Sequence, residues 1–303
     1  MNTLLSNNHN ISNYLSSVML LAGMLTLLSL IGWVLAGPAG IAMFLAAGVL
    51  AFFSAPRITP QFILRLHKAR RLQPDEAPKL YEIIYWLTRR AGLKQAPVLY
   101  HFPADMINAF TTGLYDSTSI AISDGMLRKL DSRELTGVLA HEVAHIRNHD
   151  LLIMLMADVM SRLTSMMALT GYILLLIYIP LFIMTGTAFP LLLLFLLMMA
   201  PTISLLMQMA LSRLHEFSAD ITASKITGDP LGLASALEKI DYYQGGWLER
   251  MLIPTRRRYQ PALLRTHPLM AKRVRRLREL AEKMSSSEYP FGPGGRHELH
   301  RFR

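Results

Sequence analysis

Polar and apolar positions are distributed along this chain in blocks. Residues 1–56 contain no Asp, Glu, Lys or Arg, and neither do residues 163–212. A helix with one face in water needs polar side chains on that face, so uncharged blocks of this length read as membrane. The first block divides at Gly37-Pro38-Ala39-Gly40 into apolar stretches of residues 14–36 and 38–55, and the second divides at Thr185-Gly186-Thr187 into residues 163–184 and 189–209. Each approaches the ~20 residues a bilayer core requires, the stretch 38–55 lying near the short end. The pattern predicts four spans in two hairpins. No Lys or Arg precedes the first run and a second run follows at once, so a span is expected there and not a cleaved signal peptide.

Outside these blocks the period changes. Residues 75–92 carry Leu80, Ile83, Ile84 and Leu87 at helical spacing with charges between them, which predicts an amphipathic surface helix. Over residues 97–123 the short β-rich runs Val98-Leu99-Tyr100 and Ser119-Ile120-Ala121-Ile122, punctuated by Gly113 and Asp116, predict a small sheet. Asp131 and Glu134 stand in capping-box positions for a helix expected to continue through Leu139 to at least Met156. Residues 268–284 predict a further helix, with Met270, Val274, Leu277 and Ala281 on one face and Arg273, Arg275, Arg276 and Arg278 away from it. Residues 285–303, rich in Ser, Gly and Pro, are expected to form a flexible tail.

Charge adds an orientation. Lys and Arg are absent from the two connecting turns and abundant elsewhere: Arg57, Arg65, Lys68, Arg70, Arg71, Arg89 and Arg90 between the hairpins, Arg213, Arg256, Arg257 and Arg258 after them. The positive-inside rule places residues 56–162 and everything after 212 on the cytoplasmic side. The net charge of +10 then reads as topology together with attraction to anionic headgroups. Nucleic acid is set aside as a partner, because no recognition motif accompanies the basic residues. With no Cys in the chain, a cytosolic face without disulfides is expected, and any metal site must be built from His and carboxylates.

The chemistry lies in His141-Glu142-Val143-Ala144-His145. Residues four apart share a helix face, so two imidazoles can grip one metal ion while Glu142 sits beside the remaining position. Zinc held by three protein ligands keeps a site for water, lowers its pKa to around 7, and leaves a neighbouring carboxylate to take the proton. The third ligand of such sites is often a carboxylate on another helix, and Glu216 is the first acid after the uncharged block. Asp220 follows one helical turn later, where a carboxylate could accept a hydrogen bond from the outer nitrogen of a ligating His. His149 and His215 compete for the metal, and Glu216 alternatively pairs with Arg213 as an ordinary interfacial acid.

These residues resemble the HtpX-type membrane zinc metalloproteases, relatives of the prenyl-protein endopeptidases. The resemblance runs over nearly the whole chain: the first hairpin, Asn108-Ala109-Phe110-Thr111-Thr112-Gly113, the His141 helix, the second hairpin, the stretch from Glu216 to Asp220, and Thr266-His267-Pro268. It implies His141, His145 and Glu216 as ligands of one Zn2+ per chain, Glu142 as general base, Asp220 as the accompanying acid, and an edge strand at Asn108, Ala109, Phe110 and Thr111 that aligns substrate. His267 matches a family His near the site, where it either stabilises an oxyanion or caps the helix beginning at Pro268.

The expected fold is therefore a mainly α membrane protein: four transmembrane helices in two hairpins with a zincin-like (gluzincin) α+β catalytic domain carrying a small β-sheet. Its parts are residues 1–56 as first hairpin, 57–162 as the first catalytic segment, 163–212 as second hairpin, 213–284 as the segment with the third ligand, and 285–303 as tail. The implied activity is endoproteolysis of damaged or misassembled membrane proteins in a bacterial inner membrane, with both termini and the catalytic domain cytoplasmic. An intramembrane protease is the competing enzyme, and Arg133, Glu134, Arg147 and Asp150 around the motif oppose it, since each charge at that depth costs about 2.5 to 3.5 kcal/mol. A non-catalytic metal-binding scaffold would have no use for Glu142.

Overall fold

The computed structural model describes residues 2–114, 117–186, 191–252 and 270–285. The chain is mainly helical, with one small mixed sheet, and forms two compact units. One unit consists of Ile11–Arg57 and Leu152–Ser212; the other is built chiefly from Ile58–Leu151 and the described residues from Arg213 onward.

Among the described residues three helices are long and apolar enough to cross a membrane: Tyr14–Phe53 within α1 (Asn2–Leu66), Asp150–Thr185 (α5), and Phe195–Thr227 within α6 (Leu191–Thr227). The first of these is 40 residues long and is not one straight rod. Ala36 and Gly37 leave helical geometry, Gly37 with φ +60°, and the backbones of Gly32 and Gly40 lie in contact. Residues eight apart in a straight helix are separated by ~12 Å along the axis, so this contact requires the chain to double back at the glycines. A Cβ on Gly40 would stand 2.1 Å from the carbonyl oxygen of Gly32, so only glycine permits that approach. In the same unit Tyr172 donates to the Leu197 carbonyl at 2.8 Å, tying α5 to α6.

The second unit contains the sheet, in strand order β1-β2-β4-β3, made of β1 (Arg70–Arg71), β2 (Val98–Phe102), β3 (Ala109–Thr112) and β4 (Ser119–Ser123). β2 and β4 pair in parallel, and β3 pairs with β4 antiparallel. The expected runs at residues 98–100 and 119–122 fall on the two central strands. β3 is an edge, and Asp116 lies outside the described residues. Helix α2 (Pro78–Ala91) begins on a proline that needs no hydrogen-bond partner there and ends on Gly92 in left-handed conformation. Its stripe Leu80, Ile83, Ile84 and Leu87 is buried in the core of this unit, together with Leu139, Val143 and Ala144 of α4 (Ser132–Arg147).

Helix α4, which follows the short α3 (Asp124–Lys129), starts as the capping-box reading predicts. The Asp131 carboxylate accepts from the Glu134 N–H at 2.8 Å, and the Glu134 carboxylate accepts from the Asp131 N–H at 3.0 Å. Its end corrects the expectation of a helix running on to Met156. α4 stops at Arg147, His149 takes left-handed backbone with φ +60°, and a separate helix, α5, starts at Asp150. A residue in that conformation cannot continue the i to i−4 ladder, so the chain changes direction here. α6, in contrast, runs without interruption from the apolar block through Met209 to Thr227. It is followed by α7 (Pro230–Leu252) and α8 (Met270–Ser285).

Candidate metal centre

His141 and His145 project from one face of α4, as their spacing requires, and Glu216 reaches them from α6. One ligand atom from each of the three lies within 4.8 Å of the others. The two Nε2 atoms are 3.2 Å apart, and Glu216 oxygens lie 3.5 Å from the Nε2 of His141 and 4.0 Å from that of His145. Ligand atoms around a tetrahedral ion with bonds of 2.0–2.1 Å stand about 3.3 Å apart, so this donor set fits zinc with little adjustment.

The outer nitrogens are held as well. Nδ1 of His141 lies 3.0 Å from Asp220 Oδ1, one turn beyond Glu216 on α6. Nδ1 of His145 lies 2.8 Å from Asp150 Oδ2. Each carboxylate fixes a ring so that Nε2 faces the centre, the arrangement that orients and strengthens imidazole ligands. Asp150 also bonds His215 Nδ1 through its other oxygen, at 2.6 Å. His215 is thus buried against Asp150 rather than poised as a ligand, and His149 is exposed. Burial and the Arg273 charge both press the His141 pKa down, yet its bonds to Asp220 and Glu216 outweigh them and raise it to about 10 in the metal-free chain.

Arg273 corrects the placement of α8. Its charge groups it in the sequence with the solvent-facing arginines, but it is buried, 3% exposed. Its guanidinium donates to Glu216 at 2.7 Å and, in a fork, to both oxygens of Asp220 at 2.8 and 2.6 Å. Two carboxylates make burial of this charge tolerable. A signal exists in the spacing: Arg273 falls between Met270 and Leu277 on the buried stripe, and residue type obscures its position.

Glu142 is also buried, and its Oε2 accepts a 2.6 Å hydrogen bond from the hydroxyl of Thr111 on edge strand β3. Nothing in the sequence spacing points to that pair. Phe217, next to Glu216, lies under the Arg276 guanidinium at 4.0 Å. His267 lies outside the described residues, as do residues 286–303 of the expected tail.

This arrangement, two imidazoles and a carboxylate with a second carboxylate beside them, is that of a metallopeptidase. Residues 74–281 match peptidase family M48, and the chain belongs to that family. It is a membrane metalloendopeptidase. The chain is 38% identical over 291 residues to the protease HtpX homolog of Thermococcus sibiricus, covering 89% of this chain and 97% of that protein. It is 34% identical over 288 residues to the protease HtpX homolog of Desulforapulum autotrophicum, covering 88% and 89%. Among solved structures, S. mikatae Ste24p shares the fold, with a TM-score of 0.54 at 19% identity, over 89% of this chain and 66% of that one.

Proposed function

We propose that this chain is a zinc-dependent endopeptidase of the bacterial inner membrane that cleaves damaged or misassembled membrane proteins. The observation that carries the reading is the convergence of His141, His145 and Glu216, with Glu142 next to His141 on the same helix. Those three residues would hold one zinc ion, and Asp220 and Asp150 orient the two imidazoles. When bound, zinc lowers the pKa of water to around 7 and polarises a peptide carbonyl. Glu142 takes the proton of the attacking water and passes it to the leaving nitrogen. The edge strand at Asn108, Ala109, Phe110 and Thr111 aligns substrate through its backbone, which imposes little side-chain selectivity and suits a quality-control role.

The membrane part is proposed as four spans in two hairpins, the first turning at Gly37 and the second near Gly186. The catalytic domain and both termini face the cytoplasm, where the Lys and Arg are. A reporter inserted at Thr185 should behave as external, and one inserted after residue 60 as cytoplasmic. Reversal of either overturns the topology.

The activity is tested with the purified full chain in detergent and an unfolded polypeptide substrate. Cleavage should require zinc and stop with chelator. Glu142→Gln should keep its zinc and lose at least ~100-fold in turnover. Activity within threefold of the parent would remove Glu142 as base. Glu216→Ala should lose most of the bound zinc, and full occupancy in that variant would remove Glu216 from the ligand set.

A further inference from the structure

The base is held by the strand that would carry the substrate. Among the described strands β3 pairs with β4 alone, so its other edge is open. The Ser123 N–H donates to the Asn108 carbonyl at 3.0 Å, which sets the phase of the ladder. In an antiparallel pair hydrogen-bonded residues alternate, so Asn108, Phe110 and Thr112 bond toward β4. The backbone N–H and C=O of Ala109 and Thr111 therefore face the open edge. Side chains alternate between the two faces of the sheet. Phe110 packs with Leu64, Phe102 and Ala121 on one face, and Thr111 turns to the other, where its hydroxyl meets Glu142 at 2.6 Å.

We propose that Thr111 is a positioning residue, its hydroxyl fixing the Glu142 carboxylate so that a polypeptide seated on the open edge of β3 meets a base already oriented. This role for Thr111 rests on Glu142 being the general base. The same residue offers its backbone to an added strand and its side chain to the base, so the scissile bond and the proton acceptor share one rigid reference. A carboxylate on a flexible stem, held at one oxygen, keeps the other free to take the proton. The hydrogen bond spans 31 positions in sequence and joins β3 to α4 directly at the base.

Thr111→Val keeps the branched shape and deletes the donor, while Thr111→Ser keeps the donor and deletes the methyl. In zinc-loaded full-length protein Thr111→Val should lower kcat roughly tenfold or more, the loss expected for a hydrogen bond to a charged group, with KM, zinc content and melting temperature as in the parent. Thr111→Ser should stay within about threefold of the parent. In the Glu142→Gln background, adding Thr111→Val should leave the Kd for a fluorescent unfolded polypeptide unchanged, a readout independent of turnover. Parental kcat in Thr111→Val, equal losses in the Val and Ser variants, or a weakened Kd in the double variant would each overturn the role. Parental turnover in Glu142→Gln would instead remove the base, and the positioning role of Thr111 would fall with it.

Discussion

Both units of the molecule bury an apolar core, and they differ in the polar groups enclosed beside it. Around the metal centre, buried groups are charged and paired: Arg273 bonds two carboxylates, Asp150 receives two imidazoles, and Glu134 accepts from Ser235 and Lys239 at 2.6 Å each. In the apolar unit none of the described Asp, Glu, Lys or Arg residues is buried, and glycines let helices approach closely, Gly23 against Met207 and Gly171 against Leu197. The Thr164 and Thr170 hydroxyls bond their own helix, to the Met160 carbonyl at 2.9 Å and the Met166 carbonyl at 3.0 Å. Lipid tails are as apolar as leucine, so helices in a bilayer gain little from hiding apolar surface and associate through tight packing of small residues. A polar centre obeys the other rule, because a buried charge without its partner is far more costly than a lost contact.

The most severe test of that contrast is Arg273→Met. It removes the guanidinium shared by Glu216 and Asp220, leaving His141 as their remaining cation, and should destabilise the metal-free protein by up to roughly 3–5 kcal/mol, the cost of breaking a buried pair. Zinc should restore part of this, since it supplies positive charge to Glu216. Thermal melts with and without zinc decide it, and an unchanged metal-free melt would erase the distinction between the two units.

A pH series probes the same network more gently. His141 ordinarily titrates near 6.5, and in the folded metal-free chain it titrates near 10. Its pKa is raised on folding, so its stabilising contribution is complete below 6.5 and is lost as pH climbs toward 10. Metal-free protein should therefore melt at a lower temperature at pH 9.5 than at pH 6.5. Asp220→Asn should flatten that dependence, and an identical slope in the variant would detach His141 from it.

In the apolar unit the damage should follow sterics alone. Gly40→Ala drives a Cβ to 2.1 Å from a backbone oxygen that cannot swing aside, which should cost on the order of 1–3 kcal/mol. Gly171→Ala meets only the tip of Leu197, at 2.4 Å, and should cost less. Both should leave turnover per folded, zinc-loaded molecule unaltered, measured as activity normalised to bound zinc. The smallest effect is at the start of α4, where Asp131→Ala removes one half of the capping box for about 1 kcal/mol, read from denaturant melts.

The features legible along the chain are those whose physics is local. The apolar blocks, the stripe of α2, the capping box of α4, the two central strands and the shared face of His141 and His145 each follow from spacing within a few turns of chain. Glu216 and Asp220 are legible because α6 is uninterrupted and few acids compete for the place. The roles of Asp150, His215, Arg273 and Thr111 are not. On a continuous helix Asp150 would sit about 140° around the axis from His145, and only the left-handed turn at His149 brings its carboxylate back to the imidazole. The bond from His215 to the same carboxylate joins α6 to the start of α5 across 65 positions. Arg273 reads as a surface cation by residue type, whereas its burial depends on two carboxylates from α6. Thr111 meets Glu142 across a sheet edge and a helix, a pairing fixed by how β3 lies on α4. Periodicity and capping act over one or two turns, so the order of residues suffices to place the apolar segments, the helix starts and the side chains able to bind a metal. Which buried groups brace those side chains, and which hydroxyl meets Glu142, follow from packing alone, because hydrogen bonds and ion pairs between distant segments exist only once those segments are joined.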